Sequence, residues 1–254
     1  MSLLVQIKAV VLCVLLLICG LLPACLIALP FGLERRLKIV SPVWDFCSIM
    51  LLRYGCHAHL DIQEDYRSQE LRGTPPKGLY VCNHQSYADI PLLMTMYQAP
   101  PIMKKEVLYI PFVGWLAWIS GALPVSRSKV SSRKKVFEQA KRRIVSAKIG
   151  LQVYPEGTRS KEAHPKSYDQ IKRTLLVFAF NEKIPVIATS IYGTRGVLSP
   201  IGLIKTQRHL GIIVHKELRP EDFTNSDEFC RAVWGNVVSG YEQIRSRLEP
   251  LNGN

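Results

Sequence analysis

Two short strings carry the chemistry legible in this chain: Asn83-His84-Gln85-Ser86-Tyr87-Ala88-Asp89 and Tyr154-Pro155-Glu156-Gly157-Thr158-Arg159-Ser160. The first follows an apolar, strand-like run, Gly78 to Cys82, which puts a histidine and a carboxylate at a strand end, where open α/β sheets collect ligands. His84 suits a general base and Asp89 its orienter. The second string follows Leu151 to Tyr154 and sets Gly157, Thr158 and Arg159 in succession. Glycine permits close backbone approach, the hydroxyl donates, and the guanidinium contacts phosphate in a bidentate manner. Glu156 cannot itself attract a phosphate; its expected part is to orient Arg159 or nearby backbone donors. A plainer reading makes His84 a turn residue capping the next helix, with Asp89 an ordinary charge in its first turns. The phosphate-type residues downstream weigh against it, and a base with a phosphate grip implies a transferase acting on a phosphorylated alcohol.

The elements that must position these residues follow from periodicity. Strand patterns near 78–82, 100–104, 122–126, 150–154 and 184–191 alternate with helical patterns near 87–98, 107–120, 131–148 and 169–182. That order predicts an α/β fold with a mainly parallel sheet covered by helices. A further strand is expected near 209–215. The last helix starts near Ser226 and spaces Phe229, Val233, Trp234, Val237, Tyr241, Ile244 and Leu248 along a buried stripe. Upstream, Cys56, Ala58, Leu60 and Ile62 alternate with His57, His59, Asp61 and Gln63, the pattern of a half-buried strand with both histidines exposed. Residues 64–77, with Pro75-Pro76, read as a loop.

A chain of 254 residues accommodates one such domain and a short accessory segment. From Ala9 to Leu33 no residue is charged, a run longer than the ~20 residues that span a bilayer as a helix. It is expected to enter the membrane or lie in its surface. Pro23 and Pro30 leave a straight span, a kinked span and a re-entrant hairpin all open. The run is too long for a typical cleaved signal, and Arg35, Arg36 and Lys38 after it favour a cytoplasmic location for the C-terminal side. Ser41-Pro42 reads as the start of a second apolar helix. The expected division is therefore a membrane-associating helical segment over 1–55 and an α/β domain over 56–254, with the catalytic domain facing the cytoplasm.

The formal charge of +13 calls for anionic partners. Beside an apolar anchor an anionic lipid surface fits better than nucleic acid, which is not expected to bind. The basic run from Lys129 to Lys148 also reads as the solvated face of a helix that buries Val136, Phe137, Ala140, Ile144 and Ala147. Seven cysteines lie without metal-ligand spacing, so neither a disulfide framework nor a metal site is expected. Cys82 reads as a small core residue.

The two strings resemble the signatures of the phospholipid/glycerol acyltransferase family, whose best-known members acylate lysophosphatidic acid. That family has a histidine, four residues and an aspartate, met by His84 and Asp89, then Phe-Pro-Glu-Gly-Thr-Arg-Ser, met except that Tyr154 replaces phenylalanine. An intermediate block is matched in order by Lys104, Pro111, Gly114, Gly121 and Arg127. The resemblance spans 83–160 and extends more loosely to about residue 215. It implies fatty acyl transfer from acyl-CoA or acyl carrier protein to the sn-2 hydroxyl of lysophosphatidic acid, with no cofactor beyond the thioester donor. It implies catalysis by His84 and Asp89, and acceptor binding by Lys104, Arg127, Glu156, Gly157, Thr158 and Arg159. Alternative readings are another lysophospholipid or glycerol 3-phosphate as acceptor, or an inactive membrane-bound lipid-binding scaffold. The stretch Ile110 to Ile119, with Phe112, Trp115 and Trp118, is either an acyl-chain groove or core.

Overall fold

A computed structural model of the chain describes residues 3–55, 58–64, 78–86, 88–97, 99–110, 113–126, 130–147, 149–160, 162, 164–197 and 209–252. Helix α1 (Leu3–Leu16) passes through a π-helical turn, Leu17–Leu21, into α2 (Leu22–Ala28). After residues 29–32 the chain returns as α3 (Leu33–Met50) and a second π-helical turn, Leu51–Gly55. The two limbs run against each other as a helical hairpin, α2 beside α3 and α1 beside Leu51–Gly55. Cys25, Ala28, Val40 and Ile119 form its packed seam.

One expectation in this segment is corrected, and another is narrowed. Among the described residues no helix is long and apolar enough to cross a membrane, because the uncharged run is divided between α1, its π-helical turn, α2 and the hairpin turn. The second helix begins at Leu33, not at Ser41, and carries Pro42 inside it. Burial of Leu37, Val40 and Cys47 along one side holds the helix through the proline, and the Ser41 hydroxyl donates to the Leu37 carbonyl at 2.6 Å.

Among the described residues seven strands come next: β1 (His59–Glu64), β2 (Leu79–Cys82), β3 (Ile102–Lys104), β4 (Leu123–Val125), β5 (Leu151–Val153), β6 (Val186–Tyr192) and β7 (His209–Val214). Five make the main sheet in the order β1-β7-β6-β2-β5, parallel everywhere except between β6 and β7. Strands β3 and β4 form a separate parallel pair, joined to the main sheet by a bridge between Pro101 and Gln152. The intervening helices are α4 (Asp89–Tyr97), α5 (Val113–Ile119), α6 (Val130–Lys141), α7 (Thr174–Asn181), α8 (Thr194–Val197) and α9 (Ser226–Asn252). The helical patterns read over 107–120 and 169–182 each begin with a 3-10 turn, Lys105–Tyr109 and Tyr168–Gln170, and the one over 131–148 ends in a π-helical turn, Arg142–Ser146.

Side-chain alternation along the central strands builds two cores. Leu79 and Val81 of β2, with Val186 and Ala188 of β6, face Leu176 of α7 and Phe229, Val233 and Val237 of α9. Tyr80 and Cys82, with Ile187 and Ile191, face Leu92 and Leu93 of α4 on the other side. Burying both faces explains why these strands read as continuous apolar runs. Helix α9 lies close to the sheet because Gly240 has no side chain: a Cβ there would stand 2.4 Å from both Ser190 Oγ and His215 Nε2. Trp234 anchors it further by donating to the Lys166 carbonyl at 2.9 Å.

Candidate active site

His84 follows the end of β2, and Asp89 opens α4 five residues later. The chain between them is a side-chain-braced turn: Ser86 Oγ accepts from Ala88 N–H at 3.2 Å, and the Asp89 carboxylate reaches back to Ser86 N–H at 2.9 Å. The same oxygen, Oδ2, accepts from Gln85 N–H at 2.7 Å and lies 2.8 Å from His84 Nδ1. Asp89 Oδ1 accepts the Thr194 hydroxyl at 2.5 Å. Asp89 therefore braces the turn that leads into its helix and contacts the imidazole at once. Its side chain is fully buried, while 15% of the His84 side chain remains exposed. With Nδ1–H given to the carboxylate, the lone pair of Nε2 is free to accept a proton.

The second string is tied to the backbone of the same histidine. Glu156 Oε1 accepts His84 N–H at 2.8 Å, and Ser160 N–H donates to the His84 carbonyl at 2.8 Å. Between these ties Gly157 turns the chain with φ of +70°, a conformation glycine adopts without cost. Lys172 N–H donates to the Pro155 carbonyl at 2.8 Å and supports the loop from below. Glu156 is buried, and its Oε2 has no hydrogen-bond partner among the described residues. Burial pushes its carboxyl up to about 7, against the opposing pull of the His84 amide and Lys166. Of the partners expected for Glu156, Arg159 or nearby backbone donors, the hydrogen bond at its Oε1 is to the His84 backbone N–H.

Tyr154 lies against the imidazole, with ring centroids 4.4 Å apart. Its hydroxyl donates to Gln152 Oε1 at 2.6 Å, and Gln152 Nε2 donates to the Ala99 carbonyl at 2.7 Å. The departure from phenylalanine is thus accommodated by a buried glutamine two residues earlier. Burial pushes the Tyr154 phenol and the Cys82 thiol well up, so neither is poised to ionise as a nucleophile.

Asn83, which opens the first string, bridges to β6, accepting from Ile191 N–H and donating to its carbonyl, both at 2.8 Å. Other members of the site carry no motif of their own. Lys166 Nζ donates to the Glu156 carbonyl at 3.1 Å and to Thr158 Oγ1 at 3.3 Å. Arg195 donates to the Ser160 carbonyl at 3.4 Å. Thr194, Lys166 and Arg195 arrive through tertiary pairing, so spacing in the chain could not reveal them. The structure thus joins His84, Asp89 and Glu156 by direct hydrogen bonds, with Gly157, Thr158 and Arg159 on the adjoining turn. Lys104 ends β3 with its side chain exposed, and Arg127 lies outside the described residues, as do Pro111, Phe112 and His57. Trp115 packs against the hairpin seam, and Trp118 is 51% exposed.

A cleft of about 1010 Å³ adjoins the turn, walled by Thr158, Arg159, His164, Lys166, Tyr168 and Trp234 among others; His84 is not part of its wall. Among the described residues no three histidine, cysteine or acidic side chains converge as metal ligands. The arrangement offers an oriented base beside a hydroxyl- and cation-bearing turn.

A family model described as Acyltransferase matches residues 64–192. Relatives named 1-acyl-sn-glycerol-3-phosphate acyltransferase include one from Cocos nucifera, 28% identical over 120 residues (46% of this chain, 38% of the relative). Another, from Saccharomyces cerevisiae, is 27% identical over 172 residues, covering 65% of this chain and 56% of the relative. The Escherichia coli protein of that name is 25% identical over 146 residues, covering 57% and 56%. The chain spans about half the length of the relatives it matches. The crystal structure of PlsC, a 1-acyl-sn-glycerophosphate acyltransferase from Thermotoga maritima, superposes with a TM-score of 0.74 at 20% identity over 95% of this chain and 98% of that one, which establishes the common fold.

Proposed function

From the premise that this chain belongs to the Acyltransferase family, we propose that it transfers a fatty acyl group from a thioester to the sn-2 hydroxyl of lysophosphatidic acid, forming phosphatidic acid. The observation that carries this reading is the 2.8 Å contact between His84 Nδ1 and buried Asp89. It leaves Nε2 to take the proton of the acceptor hydroxyl as the oxygen attacks the thioester carbonyl. Asp89 stabilises the imidazolium that forms. When the tetrahedral intermediate collapses, the carbon–sulfur bond breaks and the imidazolium returns its proton to the departing thiolate. No covalent enzyme intermediate is needed.

The phosphate of the acceptor is assigned to the turn after Glu156. Arg159 supplies the planar fork, and Thr158 accepts from Lys166, which leaves its own O–H to donate. Lys166 adds a second cation. The names of the relatives support lysophosphatidic acid as acceptor. Acyl-CoA and acyl carrier protein both fit as donors, and the chemistry calls for no further cofactor.

The hairpin is assigned to the membrane surface. Val11, Val14, Leu15, Ile18, Leu26 and Ile27 leave large apolar side chains exposed along it, an arrangement suited to lying in one leaflet rather than crossing two. Residues 1–55 are then the anchor and 56–254 the catalytic part, held at the cytoplasmic face where a lysolipid enters from the leaflet and the thioester from water. Purified protein should acylate lysophosphatidic acid when given acyl-CoA or acyl carrier protein thioesters. Turnover of lysolipids without a terminal phosphate at an equal rate, or of no acceptor at all, would overturn the assignment.

A further inference from the structure

Where the hairpin turn meets the end of α6, a surface cavity of about 920 Å³ gathers five cations, Arg35, Arg36, Lys38, Arg142 and Arg143, around a single carboxylate, Glu34. Glu34 is already committed to Lys38 at 3.3 Å. Among the described residues no carboxylate pairs with any of the four arginines. Arg36 lies over the Trp118 ring, 5.3 Å from its centroid, and its Nε is buried without a hydrogen-bond partner among the described residues. Arg143 spends one guanidinium nitrogen on the Gly121 carbonyl. Like charges held together in this way are costly unless something anionic joins them. Burial, together with Arg36 and Arg142, pushes the Arg143 guanidinium down to about 10, the direction expected of a cluster lacking its counter-ion.

We propose that this cavity binds the phosphate headgroup of an anionic membrane phospholipid, distinct from the acceptor at the catalytic site. The apolar surface beside it selects a lipid over a soluble phosphate. Leu29 at the hairpin turn, Ile27 just before it and Trp118 under Arg36 are all exposed, so a headgroup held by the arginines would sit above side chains suited to the acyl boundary. The start of α3 at Leu33 opens onto the same cavity and adds the partial positive charge of a helix N-terminus. The proposal rests on the membrane-surface placement of the hairpin, not on the identity of the acceptor.

The test is co-sedimentation of the full-length protein with vesicles of phosphatidylcholine alone and of three parts phosphatidylcholine to one part phosphatidylglycerol. Each basic residue near an anionic surface is worth about five-fold in partitioning. R36Q/R142Q should therefore lose about twenty-five-fold of the phosphatidylglycerol increment, with binding to neutral vesicles and turnover of a short-chain soluble acceptor unchanged. Because Arg142 is exposed, R142Q alone leaves folding intact and should lose about five-fold. The charge-matched pair K134Q/K135Q, on the exposed face of α6, should lose far less. Equal loss from that pair would overturn the cavity in favour of diffuse attraction. A raised KM for the soluble thioester with vesicle binding intact would overturn it in favour of a soluble phosphate ester. Binding to neutral vesicles without any anionic increment would remove this site alone, whereas failure to bind either vesicle would remove the membrane placement as well.

Discussion

The backbone of His84 is held from both sides by the turn that carries Arg159: Glu156 Oε1 accepts the His84 amide hydrogen at 2.8 Å, and the Ser160 amide donates to the His84 carbonyl at the same distance. His84 and the turn after Glu156 are thus hydrogen-bonded to each other although His84 and Glu156 are 72 residues apart in the chain. On the proposed reading, proton transfer requires the imidazole and the acceptor hydroxyl to meet within a few tenths of an ångström, and these ties would set the imidazole relative to a phosphate held on the turn.

Glu156 should therefore act as a positioning residue. Glu156→Gln keeps an acceptor for the His84 amide and should retain most turnover, whereas Glu156→Ala should lower kcat about ten-fold or more through the freed backbone donor. Steady-state kinetics on both variants checks this; equal activity in the two would remove the role.

Stability should also depend on pH through this residue. The folded carboxyl titrates near 7, above its ordinary value of 4.5, so the folded state binds the proton more tightly. Its contribution is fully present below about 4.5 and is lost as pH rises through 7, at most of order 3 kcal/mol. Glu156→Gln cannot lose that proton, so denaturation at pH 5 and pH 8 should show its advantage over wild type growing with pH and levelling above 7.

Thr194 supports the base from another element. Thr194→Val removes the donor to Asp89 Oδ1 and should lower kcat several-fold with KM nearly unchanged, while Asp89→Asn should cost about 10²–10⁴. A larger effect of Thr194→Val on KM than on kcat would contradict this.

Tyr154 and Gln152 are expected to be coupled. Tyr154→Phe leaves Gln152 Oε1 buried without its donor and should destabilise by about 1–3 kcal/mol. Adding Gln152→Leu should recover part of that loss. Additive effects in the double-mutant cycle would show the two to be independent.

The strand endings that carry the site were legible because β2 and β5 are buried on both faces, so their apolar runs end sharply at His84 and Tyr154. The stripe of α9 was equally plain from Phe229 to Leu248. Proline misled the reading at Ser41-Pro42, since packing of Leu37 and Val40 outweighs the hydrogen bond that Pro42 forfeits. The grouping of β3 and β4 into their own pair was not legible, because strand periodicity states burial and not the partner. Thr194 escaped for the same reason, reaching Asp89 from an element 105 residues away through a single contact, and Lys166, eight residues past Thr158, sits in an irregular stretch where no periodicity says which way it turns.

The measurement that bears most directly on the central claim is acyl transfer from an acyl thioester to lysophosphatidic acid by purified wild-type and His84→Ala proteins of matched thermal stability. Wild type should form phosphatidic acid, and His84→Ala should lose all but a trace of turnover while still binding the lysolipid. Near-normal turnover by folded His84→Ala would contradict proton transfer by this histidine.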